Sequence, residues 1–191
     1  PETSAPRITL QEGLVDMRDF FQEQLKELNR ELVQMGADCE EIIALASDSL
    51  TGWNEELAKN VSVIGARIDE GYRTVENICL KLLLRQQPVA KDLRVISAAM
   101  KMITDMERIG DQAEDIVDLV PQMERRADEK YPKIREMAKA AKQMVTEAVD
   151  AYVRQDLQLA HAVMQHDDIV DDYFSRVKAG IIGIIAENPN E

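Results

Sequence analysis

RQQPVAKDLRVISAAMKMITDMERIGDQAEDIVDLV, residues 85–120, decides the fold. Gln86 and Gln87 precede Pro88. A proline pushes the residue before it out of the helical region, yet is tolerated in a first helical turn. The stretch therefore reads as the end of one helix and the start of another. At about 100° per residue, Ile96, Ala99, Ile103, Met106, Gly110, Ala113, Val117 and Val120 share one apolar stripe. Glu107, Asp111, Glu114 and Asp118 fall beside it on one narrow flank. Like charges three or four residues apart repel by about 0.2–0.5 kcal/mol per pair, so water or a cation must screen this flank. Oxygen-only donor sets suit hard cations, and Glu107, Asp111 and Asp115 would supply half a shell with a second helix completing it. A solvated acidic face is the other reading of the same residues. On spacing alone it comes first, since a few carboxylates do not by themselves fix a metal.

The string RQQPVAKDLR (85–94), followed by DMERIGDQAEDI (105–116), resembles the signature of the PhoU family, the accessory regulators of bacterial phosphate uptake. The resemblance implies an all-α fold of two similar three-helix bundles in tandem. It also implies Glu/Asp-x-x-x-Asp motifs that bind iron or other metals in multinuclear clusters. Here the motif runs from Glu107 to Asp111, with Asp115 one turn on. Asp69 and Glu76, seven residues apart on the preceding helix, are the expected partners of that flank. Where family members often carry further acids, this chain has Gly65 and Tyr72, so that helix offers only these two. Asp167 and Asp171 form half of a weaker second motif. The cation so held would be iron, zinc, manganese or magnesium. Arg85, Lys91, Arg94, Lys101 and Arg108 read either as a salt-bridged face or, as the resemblance implies, as a docking surface for an acidic partner or an inorganic anion. Asp105 stands within helical reach of Lys101 and Arg108 and reads as their ion-pair partner rather than as a ligand. The function implied is that of a cytoplasmic negative regulator of phosphate uptake and phosphate-starvation signalling. It would act by contact with the phosphate transporter's ATPase and the phosphate-sensing histidine kinase, as a homo-oligomer such as a homodimer, without catalysing a reaction.

The rest of the chain agrees with a helical protein. Of its 191 residues 45% are hydrophobic and only 4% aromatic, and the formal net charge is −13. Such a balance disfavours sequence-independent binding to nucleic acid or anionic lipid, which needs clustered Lys and Arg. Residues 1–7 read as a disordered lead without the apolar core of a signal peptide, and no apolar run reaches the length of a membrane span. Cys39 and Cys79 have no zinc or redox spacing and read as buried, reduced thiols. Helical periodicity predicts a first helix over about 8–50, with Leu14, Met17, Phe21, Leu25, Leu28, Leu32, Met35, Ile42 and Leu45 inward, and Gly36 marking a close helix approach. Asn54 is placed to cap a second helix over 55–85, whose stripe is Leu57, Val61, Ile64, Ile68, Val75, Ile78 and Leu82. These and the helix after Pro88 make a first bundle, residues 8–125.

Pro121, residues 125–128 and Pro132 mark the one domain boundary. A fourth helix over 133–154 and a fifth over 157–187 follow. Leu159-Ala160, Val163, Tyr173 and Pro189 echo Leu57-Ala58, Val61, Tyr72 and Pro88, so these helices repeat the first two. Residues 126–191 thus read as an incomplete second bundle lacking its last helix, with Ile181, Ile182, Ile184 and Ile185 short of a third wall. Two other classes compete with the regulator. A helical-bundle carboxylate metalloenzyme would place Glu three residues before its histidines, but Gln158 and Val163 precede His161 and His166, which therefore read as surface residues. A structural scaffold would simply leave the acidic faces solvated.

Overall fold

A computed structural model of the chain describes residues 10–85, 89–123 and 132–187, and within these not the side chains of 10–19, 85, 132, 184 and 187. The lead at 1–7, Gln86, Gln87, Pro88, residues 125–128 and Pro189 lie outside that set, as do the side chains of Leu14, Met17, Arg85 and Ile184. Among the described residues all regular structure is helical: α1 (Leu10–Gly52), α2 (Glu55–Arg85), α3 (Ala90–Leu119), α4 (Pro132–Arg154) and α5 (Leu157–Glu187). A short 3₁₀ turn, Val120–Gln122, tightens the end of α3 at Pro121. Where a helix ends inside the described residues, its boundary falls within two residues of that expected from periodicity.

Local chemistry fixes the corners. Asn54 Oδ1 accepts the Leu57 N–H at 2.8 Å, the expected cap of α2. Asp156 Oδ1 does the same for α5, accepting from Gln158 at 2.9 Å and Leu159 at 3.0 Å. Gln155, with φ 53°, turns the chain between α4 and α5. The start of α3 is held by the Val89 N–H donating to Asp92 Oδ2 at 3.3 Å.

Helices α1, α2 and α3 pack against one another, α4 lies on α1, and α5 packs on α4. The predicted α3 stripe, from Ile96 to Val120, is buried throughout. It meets Val61, Ile64, Ile68, Val75, Ile78 and Leu82 of α2, and Leu28, Leu32, Met35, Cys39 and Ile42 of α1, in one core. Each large aliphatic side chain so buried contributes about 1.5–3 kcal/mol relative to exposure. Cys39 and Cys79 are buried and unpaired with each other. Desolvation pushes their thiols up to about 12 and about 11 respectively, so both are protonated near neutral pH. The Cys39 thiol donates to the Met106 carbonyl of α3 at 3.6 Å.

Gly36 is where α4 seats on α1. A Cβ at that position would lie 2.9 Å from Cγ2 of Val149, itself buried. Threonine and tyrosine complete the seam: Thr146 Oγ1 donates to Glu40 at 2.6 Å, and Tyr152 Oη donates to the Val95 carbonyl of α3 at 3.1 Å. On α5, Ile181, Ile182 and Ile185 are exposed. His161 is exposed, but His166 is not the free surface residue expected. It is half-buried, and its Nδ1 lies 2.7 Å from Glu147 of α4. The two helices pack tightly enough there to bring a polar pair together that the E-x-x-H rule does not test.

Leu in place of Gly36 should overpack the α1–α4 seam and lower unfolding free energy by about 1–3 kcal/mol in urea titration. Adding Val149→Ala to Gly36→Leu should recover part of that loss. Loss without recovery would show that the seam is not where the strain arises.

Candidate metal centre and docking residues

Because α2 and α3 pack along their lengths, acids on their facing edges meet in pairs set by register. Asp69 of α2 stands opposite Glu107 and Asp111 of α3. One carboxylate oxygen from each lies within 4.8 Å of the other two. Glu107 is half-buried, and Asp69 and Asp111 are exposed. None of the three pairs with Lys or Arg among the described residues. Three oxygen donors converging from two helices, with no basic partner, fit a hard cation. The ordinary alternative is that water screens them.

Register also explains which expected ligands stay apart. Seven residues along α2, Glu76 is displaced about 10 Å along the axis from Asp69. It is half-buried beside Cys79, whose thiol its charge helps to raise. Asp115, a turn beyond Asp111, points instead into an open cleft of about 450 Å³ that it shares with Ser62, Asp111, Glu114 and Asp118. Asp167 and Asp171 are exposed on α5. Among the described residues no other acids gather with them at ligand distance.

One of the four flank acids read from the sequence, Glu114, was not expected to be a site residue. Glu114 lies over Gly65: a Cβ there would fall 2.6 Å from Glu114 Oε1. The space where relatives were expected to carry an α2 acid is thus filled by a carboxylate from α3. Ser62 Oγ donates to Glu114 Oε1 at 3.3 Å. Desolvation raises the Glu114 carboxyl above its ordinary 4.5; the Ser62 hydrogen bond opposes this, and the charges of Asp111, Asp69 and Asp118 add to it. The only sequence signal was the pairing of a small residue on α2 with a flank acid on α3.

The basic residues divide into two sets. Lys101 and Arg108 share Asp105, at 3.3 Å and 3.8 Å, as the spacing predicted. These pairs are exposed and worth little individually. Lys91 and Arg94 stand near the start of α3, on one wall of an apolar trough of about 550 Å³ that also takes in Val95, Tyr152 and Leu157. The Arg85 side chain lies outside the described residues.

The family model for the PhoU domain matches residues 32–120 and again 134–191. The chain belongs to the PhoU family. A relative from Clostridium acetobutylicum, the phosphate-specific transport system accessory protein PhoU homolog, is 32% identical over 91% of this chain and 80% of its own length. The Pseudomonas aeruginosa homolog of the same description is 31% identical over 88% of this chain and 71% of its own. The crystal structure of PhoU from Pseudomonas aeruginosa superposes with a TM-score of 0.79, covering 88% of this chain and 82% of that one at 31% identity. The phosphate transport system regulatory protein PhoU from Streptococcus pneumoniae gives 0.78 at 25% identity, covering 88% and 80%. The first matched segment runs from within α1 to the end of α3 and the second takes in α4 and α5, the repeat seen in the sequence. No helix among the described residues is long and apolar enough to cross a membrane.

A raised carboxyl pKa makes the folded state hold its proton to higher pH than the unfolded state. The stability tied to Glu114 is therefore complete below about pH 4.5 and falls as pH rises through the raised value. Glu114→Gln should leave the melting temperature near pH 4 almost unchanged but raise it relative to the parent near pH 7, in metal-free buffer. Parallel melting profiles across that range would show that Glu114 is not desolvated.

Proposed function

We propose that this PhoU-family chain is an accessory regulator of phosphate transport that restrains phosphate uptake and phosphate-starvation signalling. It does so by docking onto the transporter's ATPase and a phosphate-sensing histidine kinase. The observation that carries the reading is the double PhoU match along α1–α5, supported by relatives named as phosphate transport accessory and regulatory proteins. No reaction forms part of it. His161 and His166 both lie on α5, and the converging carboxylates of α2 and α3 have no histidine among them.

Metal binding is the second element of the proposal. Asp69, Glu107 and Asp111 would hold an iron, zinc, manganese or magnesium ion, which supplies positive charge between two helices that otherwise oppose acid to acid. The protein's own part is positional. Packing of Ile68 against Gly110 brings the two helices close at the level of the triad. Glu114, held by Ser62 beside it, adds to the negative field that favours a cation.

Two measurements test the proposal. The purified chain should bind the isolated ATPase subunit of a bacterial phosphate transporter saturably, and absence of binding at tens of micromolar would sink the docking reading. Elemental mass spectrometry of protein prepared without chelator or histidine tag should find near-stoichiometric metal, lost in Glu107→Ala/Asp111→Ala. Equal metal in the parent and the double variant would exclude the triad.

A further inference from the structure

The chain has 36 acidic residues against 23 basic ones, yet the stretch that joins α2 to α3 inverts that balance; the carboxylate that shares a trough with Lys91 and Arg94, Asp156, is engaged as the cap of α5. Between residues 77 and 95 the single acid is Asp92, while Lys81, Arg85, Lys91 and Arg94 are basic. Asp92 is engaged with the Val89 N–H as the cap of α3. Lys81 and Lys91 are exposed and pair with no carboxylate among the described residues. The one bond of Arg94 is from Nε to the Ala90 carbonyl of its own helix, at 3.4 Å. The same end presents aliphatic side chains to solvent: Leu84 is 83% and Val89 66% exposed, and Leu80 and Leu93 more than 40%. By contrast Lys101 and Arg108, further along α3, share the Asp105 carboxylate.

We propose that this end, the last turns of α2 with the first turns of α3, is the docking surface, and that its partner is a protein surface presenting carboxylates around an aliphatic socket. The inference rests on the docking reading above and gives it a location and a chemistry. Unpaired cations provide attraction and orientation, and exposed leucines provide area that gains by leaving water. Lys81, Lys91 and Arg94 have no carboxylate partner among the described residues, and their grouping with bare aliphatic side chains selects an acidic partner. An anionic bilayer fits less well, because the four basic residues here stand only at the lower end of the about four to eight that lipid-directed patches carry, on a chain of net charge −13. Screening keeps the two charged regions independent. Asp111 lies about 25 Å along α3 from Arg94, beyond the Debye length of about 8 Å in physiological salt. A partner seated at the end therefore feels the cations and little of the acidic seam.

The test compares four chains against the purified ATPase subunit of a bacterial phosphate transporter by isothermal titration. These are the parent, Lys81→Glu/Lys91→Glu/Arg94→Glu, Leu84→Asn, and a control on α4, Lys133→Glu/Lys139→Glu. All substitutions are at exposed positions, and circular dichroism confirms that each chain is folded. The expected result is parental binding weakened at least about tenfold by the triple reversal, weakened several-fold by Leu84→Asn, and unchanged in the control. Parental binding that survives both end variants overturns the location while leaving the regulator reading intact. No parental binding overturns both. Binding of the parent to phosphatidylglycerol vesicles, lost in the triple reversal and without ATPase binding, assigns the end to lipid and overturns the protein partner.

Discussion

Large side chains seated on glycines set how these helices meet. Met35 of α1 lies against Gly71 of α2, Ile68 of α2 against Gly110 of α3, and Val149 of α4 against Gly36 of α1. Burial of apolar stripes is non-directional and would tolerate sliding, as ridges have several grooves to fill. A glycine opposite a branched or long chain removes that freedom, because only one axial position leaves room for both. The cost of glycine in a helix, about 1 kcal/mol against alanine, is the charge levied for a defined register. Every polar arrangement along the seams inherits its spacing from these contacts.

The acid seam shows that inheritance. Packing Ile68 on Gly110 places the neighbouring Asp69 near Glu107 and Asp111, and the antiparallel run of α2 against α3 then carries other acids apart. Glu76 moves toward the level of Cys79, and Asp115 toward Ser62. At Gly65 the same device is used differently, with a carboxylate taking the seat that an aliphatic chain takes elsewhere. Glu114 is thereby desolvated among three like charges and its proton affinity rises. A cation at the triad would relieve that field without any change in backbone position.

Most of the fold was legible because helix stripes and caps are local. All eight α3 core positions, the Asn54 cap and the close approach at Gly36 follow from spacing within one or two turns. The site was legible only in part, for a matching reason. One helix shows which acids share its face, but which acids on two helices meet depends on register, and register here depends on contacts between residues far apart in sequence. Hence Asp69 was found as a partner of the flank, whereas Glu114 was placed on the flank but not over Gly65. Asp38 is a further case: buried on α1 and paired with Arg67 of α2 at 2.7 Å, it follows no local pattern. His166 met Glu147 through the same long-range geometry.

The acid seam and the basic end lie on the same two helices. Asp69 is three to four turns from Lys81 along α2, and Glu107 a similar distance from Arg94 along α3. Helices packed through a continuous aliphatic core are stiff over such lengths, since the interior has little free volume for one to bend alone. Leu84 and Val89, on opposite sides of the joint between those helices, are therefore held at a distance from the triad that the packing of α2 on α3 sets, while charge coupling over that distance is screened.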